Sequence, residues 1–281
     1  MQAKHIFSIA LLLLSSLLGL SHAKSPVITV SSGYIVGDRE GDLGIDTEVD
    51  IIPISIAYKT GAWKFKLSTA HLKATGPGDI FTDEYDDEGE EDTEEGSEPD
   101  SDIGDDDDVS GGETYIEIRD REGMGDTFFT INYSPSSLKT NYQKLTLGYK
   151  VKAPTGDEDE GLSSGEWDHH FFLRGYYRIN RFMMLGRLGY QFMGDTDERD
   201  YNNRLFAGAG LVYIVNRQFS FGSQYFYKQA STDSRDDLQH ISLIVQARPN
   251  KDWSFAANFN HGLSDSALDR QIGIQISRRF R

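Results

Sequence analysis

The strongest constraint on this chain is a two-residue rhythm that runs from residue 27 almost to the end. Segments of about ten residues alternate apolar and polar side chains, the period of a strand whose two faces meet different surroundings. Ile52, Ile54, Ile56 and Tyr58 share one face, as do Leu145, Leu147, Tyr149 and Val151. The pattern recurs at Leu205, Ala207, Ala209, Leu211 and Tyr213, and again at Ile272, Ile274 and Ile276. It predicts twelve strands, near 27–36, 49–59, 62–72, 126–134, 142–153, 166–179, 182–193, 202–214, 217–229, 237–248, 251–262 and 270–280.

The connections alternate as well. Short ones fall at Thr60-Gly61, 135–141, Asn180-Arg181, Val215-Asn216 and Pro249-Asn250. Long acidic or glycine-rich ones fall at 37–48, 73–125, 154–165, 194–201, 230–236 and 263–269. An even strand number with short turns at one end and long loops at the other is the arrangement of an outer-membrane barrel. The expected fold is therefore all-β: a transmembrane, antiparallel, up-and-down barrel of twelve strands, with both termini in the periplasm. Closure leaves no unpaired strand edge in lipid. Tyr58, Trp63, Tyr149, Tyr177 and Tyr213 lie at strand ends, where interfacial aromatic girdles belong. A secreted β-sandwich also alternates, but it needs neither uniform strand length nor this rhythm of loops.

Residues 1–23 read as a secretory signal. Lys4 and His5 give a charged start, Ile6–Leu20 an apolar run, and Ser21-His22-Ala23 a small-residue cleavage site. The barrel is then expected over 24–281. Beyond the leader, no apolar run reaches the roughly 20 residues that a helical span requires.

The formal charge of −17 comes from one place. Residues 82–108 hold 17 acidic side chains and no Lys or Arg, so the rest of the chain sums to zero. Without a basic surface domain, nucleic acid is not an expected partner. The absence of cysteine excludes disulfides, thiolate zinc sites and a cysteine nucleophile.

If the apolar faces meet lipid, the opposite faces line a lumen. That set includes Lys64, Lys66, Lys144, Lys150, Lys152, Arg174, Arg178, Arg187, Arg204 and Lys228. Glu166 and Asp168 share it only at one strand's outer end. The reverse facing would place cations in hydrocarbon, at about 2–4 kcal/mol each near the midplane. A two-residue turn at Asn180-Arg181 sets Arg174 directly opposite Arg187. Like charges across a ladder are destabilising unless an acid or a passing anion lies between them. Charged rings set pore selectivity, so Arg174 and Arg187 are the candidate constriction. Lys64, Lys66, Lys150, Arg204 and Lys228 are the candidate lumen cations.

The stretch 82–108 is expected to stay a disordered extracellular loop, because its composition cannot bury a core. Swinging into the basic lumen as a plug is one alternative. Binding a divalent cation is another, with Asp105, Asp106, Asp107 and Asp108 as weak calcium ligands and Asp157-x-Asp159-x-Gly161 as a further partial match. His240-Ile241-Ser242 is the one pattern with a hydrolytic reading, a His and Ser on one strand face. Parity places both in the lumen, away from any lipid substrate. His169 and His170 fall on opposite faces and cannot share a metal. No cofactor is expected.

Four stretches resemble one family of bacterial outer-membrane transporters, grouped as "MetA-pathway of phenol degradation". They are Ser68–Asp79 (STAHLKATGPGD), Gly123–Tyr133 (GMGDTFFTINY), Val151–Glu166 (VKAPTGDEDEGLSSGE) and Leu188–Asp195 (LGYQFMGD). The resemblance implies an outer-membrane barrel with a transport role and brings no catalytic residues. The acidic insert departs from the family pattern. Phe280 near the C-terminus suits recognition by the barrel-assembly machinery, although Arg281 follows it. The resulting expectation is a passive channel in the cell outer membrane for a small solute, biased toward anions. The competing expectations are a non-conducting surface barrel whose acidic loop binds cations or a partner, and an outer-membrane hydrolase.

Overall fold

A computed structural model describes residues 25–40, 46–76, 80–85, 99–103, 119–195, 201–233 and 235–281. The leader expected at 1–23 lies outside them. Strands β1 (Val27–Arg39), β2 (Thr47–Thr60) and β3 (Trp63–Gly76) open the chain. A small hairpin, β4 (Ile80–Tyr85) with β5 (Pro99–Ile103), stands apart from the main sheet. Next come β6 (Arg119–Met124), β7 (Thr127–Tyr133), β8 (Gln143–Ala153) and β9 (Asp168–Ile179). The chain ends with β10 (Phe182–Phe192), β11 (Arg204–Ile214), β12 (Phe219–Lys228), β13 (Leu238–Ala247), β14 (Trp253–Gly262) and β15 (Arg270–Phe280).

Every neighbour in the main sheet is antiparallel, and the sheet closes. The first strand pairs with the last from Ile28↔Phe280 to Asp38↔Arg270, while β2 pairs with both β1 and β3. β6 and β7 both pair with β3 and together make one stave, so the barrel has twelve. The stave is interrupted by a bulge. His71 opposes Met124 but Ser68 opposes Phe128, so four steps on one strand match three on the other. Gly125 N–H still donates to the Ala70 carbonyl at 2.9 Å. The sequence reading began this strand at 126, because the extra residue shifts the parity of the segment before it.

Alternation sorts the two faces as expected. Ile54, Ile56, Leu147, Leu173, Leu188, Leu243, Ile272 and Ile274 are exposed and form the lipid-facing band. Aromatic contacts cluster at its rims. Trp63 lies against Tyr133, and Phe182 against Tyr213, at the short-turn end. Tyr149 lies against Phe171, and Tyr190 against Phe192, toward the loop end. Two tight turns use left-handed backbone at their first residue, Gly61 (φ 57°) and Asn180 (φ 58°). Glycine adopts this conformation without steric cost, and asparagine tolerates it.

Candidate functional site: the barrel lumen

The seven cations named as constriction and lumen candidates all lie on the inner face. Lys64, Lys66, Lys150, Arg204 and Lys228 are buried, and Arg174 and Arg187 are half-buried. The hydrogen-bonded ladders arrange inner residues in rings. Counting from the loop end, the first reads Ser68–Phe128–Lys152–Asp168. The second reads Lys66–Thr130–Lys150–His170–Gln191–Arg204. The third runs Lys64–Asn132–Gly148–Phe172–Gly189–Phe206–Lys228. The fourth runs Thr146–Arg174–Arg187–Gly208–Phe226–His240.

The first ring carries a closed ion cluster that the sequence reading did not assemble. Lys152 Nζ lies 2.8 Å from Asp168 Oδ2, 3.7 Å from Asp126 Oδ2 and 2.8 Å from Ser164 Oγ. The three charged side chains are almost wholly buried, at 1%, 1% and 4% exposure. Asp126 is the bulge residue. Its Oδ1 accepts from Thr155 N–H and Gly156 N–H, both at 3.0 Å. Asp168 Oδ1 accepts from Gly194 N–H at 3.0 Å. The cluster therefore fastens the loop 154–167, and the loop after β10, to the wall. Only the two glycines of GMGD, Gly123 and Gly125, hinted at the bulge.

A second missed feature is apolar. Ile35, Val49, Ile51, Ala70, Leu72 and Ala74 line the loop-end half of β1–β3, and two loop residues, Leu162 and Leu268, are buried against them. An added Cβ at Gly123 would meet Leu162 Cδ1 at 2.7 Å, and one at Gly37 would meet Leu268 Cδ1 at 2.6 Å. The loops 154–167 and 263–269 thus turn inward and cover apolar wall. The sequence pattern does not predict that these two loops turn in; it predicts that 82–108 stays outside, with an inward plug as one alternative. Apart from the β4–β5 hairpin, that stretch lies outside the described residues. The expectations of disorder, of a plug and of calcium at Asp105–Asp108 lie there with it.

Deeper in, cations lie over aromatic faces. Lys150 Nζ lies 4.5 Å from the Phe128 ring centre, Arg174 Cζ 4.8 Å from Phe172, and Arg187 Cζ 3.8 Å from Phe226. This attraction helps to hold a cation beside low-dielectric surface. Arg174 and Arg187 are direct cross-strand partners, and Arg174 Nη2 also donates to Asn132 Oδ1 at 2.9 Å. Inner residues at or below this level that keep partial exposure include Lys144, Arg174, Tyr176, Arg178, Leu185, Arg187, Asn258 and Gln275. The lumen is thus packed by inward-turned loops at one end and, near the short turns, by a second apolar cluster of Met183, Val212 and Ile214 with Tyr176 and Leu185 against it, and the Arg pair lies between them.

The remaining candidates are simply placed. His240 and Ser242 are both buried in the lumen, and His240 faces the Phe226 ring. Ser242 Oγ has no hydrogen-bond partner among the described residues, so nothing there activates it as a nucleophile. His169 points outward, sharing a 2.8 Å hydrogen bond with Tyr149 Oη, whereas His170 points inward. Among the described residues no three His, Asp or Glu gather as a metal site. Asp157 Oδ1 instead caps its own turn, accepting from Asp159 and Glu160 N–H.

A closed antiparallel barrel with an apolar outer band, aromatic rims and a polar interior defines an outer-membrane β-barrel protein. The profile of the family described as "MetA-pathway of phenol degradation" matches residues 75–280, and the chain belongs to that family. No curated protein matches the chain in sequence. Among solved structures it resembles an outer-membrane channel from Pseudomonas putida F1 at 12% identity and a TM-score of 0.61, covering 92% of this chain and 95% of that one. It also resembles the KdgM porin, at 8% identity and a TM-score of 0.51, covering 90% and 99%. A third likeness is to the translocator domain of the autotransporter NalP from Neisseria meningitidis, at 11% identity and 0.51, covering 99% and 97%. At such identities these likenesses concern the fold.

Proposed function

We propose that the protein is a passive outer-membrane channel for small solutes and that its lumen favours anions. The observation that carries this reading is the fourth ring, where Arg174 and Arg187 face each other inside a closed barrel. Two guanidinium groups at adjacent positions repel, and an anion passing between them relieves that repulsion. Charged rings of this kind set the sign of selectivity in pores. The cations above them extend the positive field toward the loops.

The packed loop end sets the order of events. A solute reaching the Arg pair from outside must displace the inward-turned segments that carry Leu162 and Leu268. Toward the periplasm it then passes the apolar cluster of Met183, Val212 and Ile214, and passage needs no energy input because every step is a diffusive one. The chemistry is binding and release, and the residues perform no bond-making step. The acidic stretch 82–108 is kept as an outer loop of this channel, and a cation-binding role for it is a separate proposal.

Single-channel recording after refolding into a planar bilayer tests the reading. Discrete steps are expected, with a reversal potential displaced toward the anion equilibrium in a salt gradient. Arg174→Gln with Arg187→Gln should move that potential toward the unselective value by roughly half or more. The anion preference should weaken as salt rises, since screening shortens to about 3 Å at 1 M. Unselective or cation-selective steps from the native barrel would overturn the anion reading. A correctly folded barrel that never conducts would overturn the channel.

A further inference from the structure

Arg187 combines a stacked guanidinium face with a buried guanidinium edge. Its guanidinium face lies on the Phe226 ring, 3.8 Å from the centre. Its Nε and Nη2 are buried and have no hydrogen-bond partner among the described residues. Those two nitrogens form one edge of the fork, the edge whose parallel N–H groups match the two oxygens of a carboxylate. Stacking on a ring uses the face of a guanidinium and leaves its edge available. Buried donors left unsatisfied are costly, more so when charged, so the resting arrangement favours any oxyanion that can meet them.

The surroundings narrow the class of oxyanion. Across one ladder Arg187 faces Arg174, whose charge adds to the attraction. Across the other it faces Gly208, which has no side chain of its own; a Cβ there would lie 3.1 Å from Arg187 Cγ and Nε and 3.3 Å from Gln224 Nε2. On the loop side lies an apolar cluster of Phe206, Phe226, Leu238 and Ala267, with Phe172 packed against it. Below, the lumen keeps partial exposure at Asn258 and Gln275. A small carboxylate of compact, apolar body fits this division: the charged end at the fork, the body on the phenyl rings. A bare inorganic oxyanion can meet the fork as well, but it has no apolar body to cover the phenyl rings and is costlier to strip of water.

We infer that Arg187 is the specificity-determining residue of a lumen subsite for small monocarboxylates with an apolar body. This rests on the channel reading for its biological use, but not for its test. Equilibrium titration of the full barrel in lipid nanodiscs with benzoate, acetate and inorganic phosphate measures the site directly. Benzoate should bind, and acetate and phosphate should bind at least about tenfold more weakly. Arg187→Lys keeps the charge but not the fork, and should weaken benzoate about tenfold. Phe226→Leu should weaken benzoate toward acetate. Each variant is checked for the heat-modifiable gel mobility of a folded barrel.

Equal benzoate affinity in wild type and Arg187→Lys overturns the inference. So does phosphate binding as tightly as benzoate, or no benzoate binding by folded wild type. Bilayer recordings on the same preparation separate the two claims. Steps without benzoate binding sink the subsite alone, and benzoate binding without steps sinks the channel alone.

Discussion

The inner face of β3 changes character halfway along. Toward the short turns it presents Lys64, Lys66 and Ser68, and toward the loops Ala70, Leu72 and Ala74, all on one parity and all buried. One strand thus serves two kinds of lumen. The polar half meets the rings of Lys150, His170, Gln191 and Arg204. The apolar half, with its neighbours on β1 and β2, is covered by Leu162 and Leu268. Apolar wall gains nothing from facing water, whereas a cationic wall can be solvated or shared with an anion. The difference teaches that barrel parity decides inside from outside, while residue type along each strand decides which stretches of lumen are filled by loops.

The polar side of that comparison breaks most sharply at Lys152. Lys152→Met leaves Asp126 and Asp168 buried and facing each other without their common cation. Breaking a buried pair from one side costs about 3–5 kcal/mol. Urea unfolding in lipid vesicles should show a loss of this size. Asp126→Asn should cost less, since Asp168 remains and the amide oxygen can still accept from the loop N–H groups. A loss below about 1 kcal/mol for Lys152→Met, the range of an exposed pair, would show that the cluster is solvated.

This cluster also marks where the sequence stopped being legible. Strand number, closure, facing and the Arg174–Arg187 register follow from period-two alternation and loop length, which are local properties. Lys152 and Asp168 were assigned to the lumen by parity. Asp126 was not paired with them, because its inward aim depends on a bulge inside a segment that is polar on both faces. Leu162 and Leu268 sit in glycine- and acid-rich loops, and nothing in a loop's composition tells whether it turns outward or back into the barrel. The apolar half of β3 was the available clue. Ala70, Leu72 and Ala74 share parity with Lys64 and Lys66, so they face a lumen where leucine needs a cover.

The apolar side breaks next, at smaller cost. Leu162→Ala removes a side chain that is 1% exposed and should destabilise the barrel by about 2–3 kcal/mol, the lower part of the range for buried leucines. Leu138, in the short-turn connection after β7, is 43% exposed, and its replacement by alanine should stay within about 0.5 kcal/mol. The same Leu162→Ala barrel should open more often in bilayer recordings, because the inward loop loses its apolar anchor. Unchanged opening would mean that the loop is held by the Lys152 cluster alone.

The smallest effect separates the two faces of the barrel with one methyl group. Gly148 lies in the third ring, and a Cβ there would run into the Phe172 ring. Gly186 lies on the lipid face of β10, and a Cβ there would meet nothing within 4 Å. Gly148→Ala must turn the ring and should cost about 1–2 kcal/mol, the usual penalty of overpacking. Gly186→Ala should be neutral, or stabilising by about 0.5 kcal/mol, since glycine loses more backbone freedom on folding than alanine. The functional consequence follows the same line. Phe172 lies under Arg174, whose guanidinium carbon is 4.8 Å from the ring centre. Gly148→Ala should therefore shift anion preference as well as stability, while Gly186→Ala leaves both unchanged. If the two alanines behave alike in unfolding and in reversal potential, the ring is not packed against β8, and the aromatic support assigned to the Arg pair does not exist.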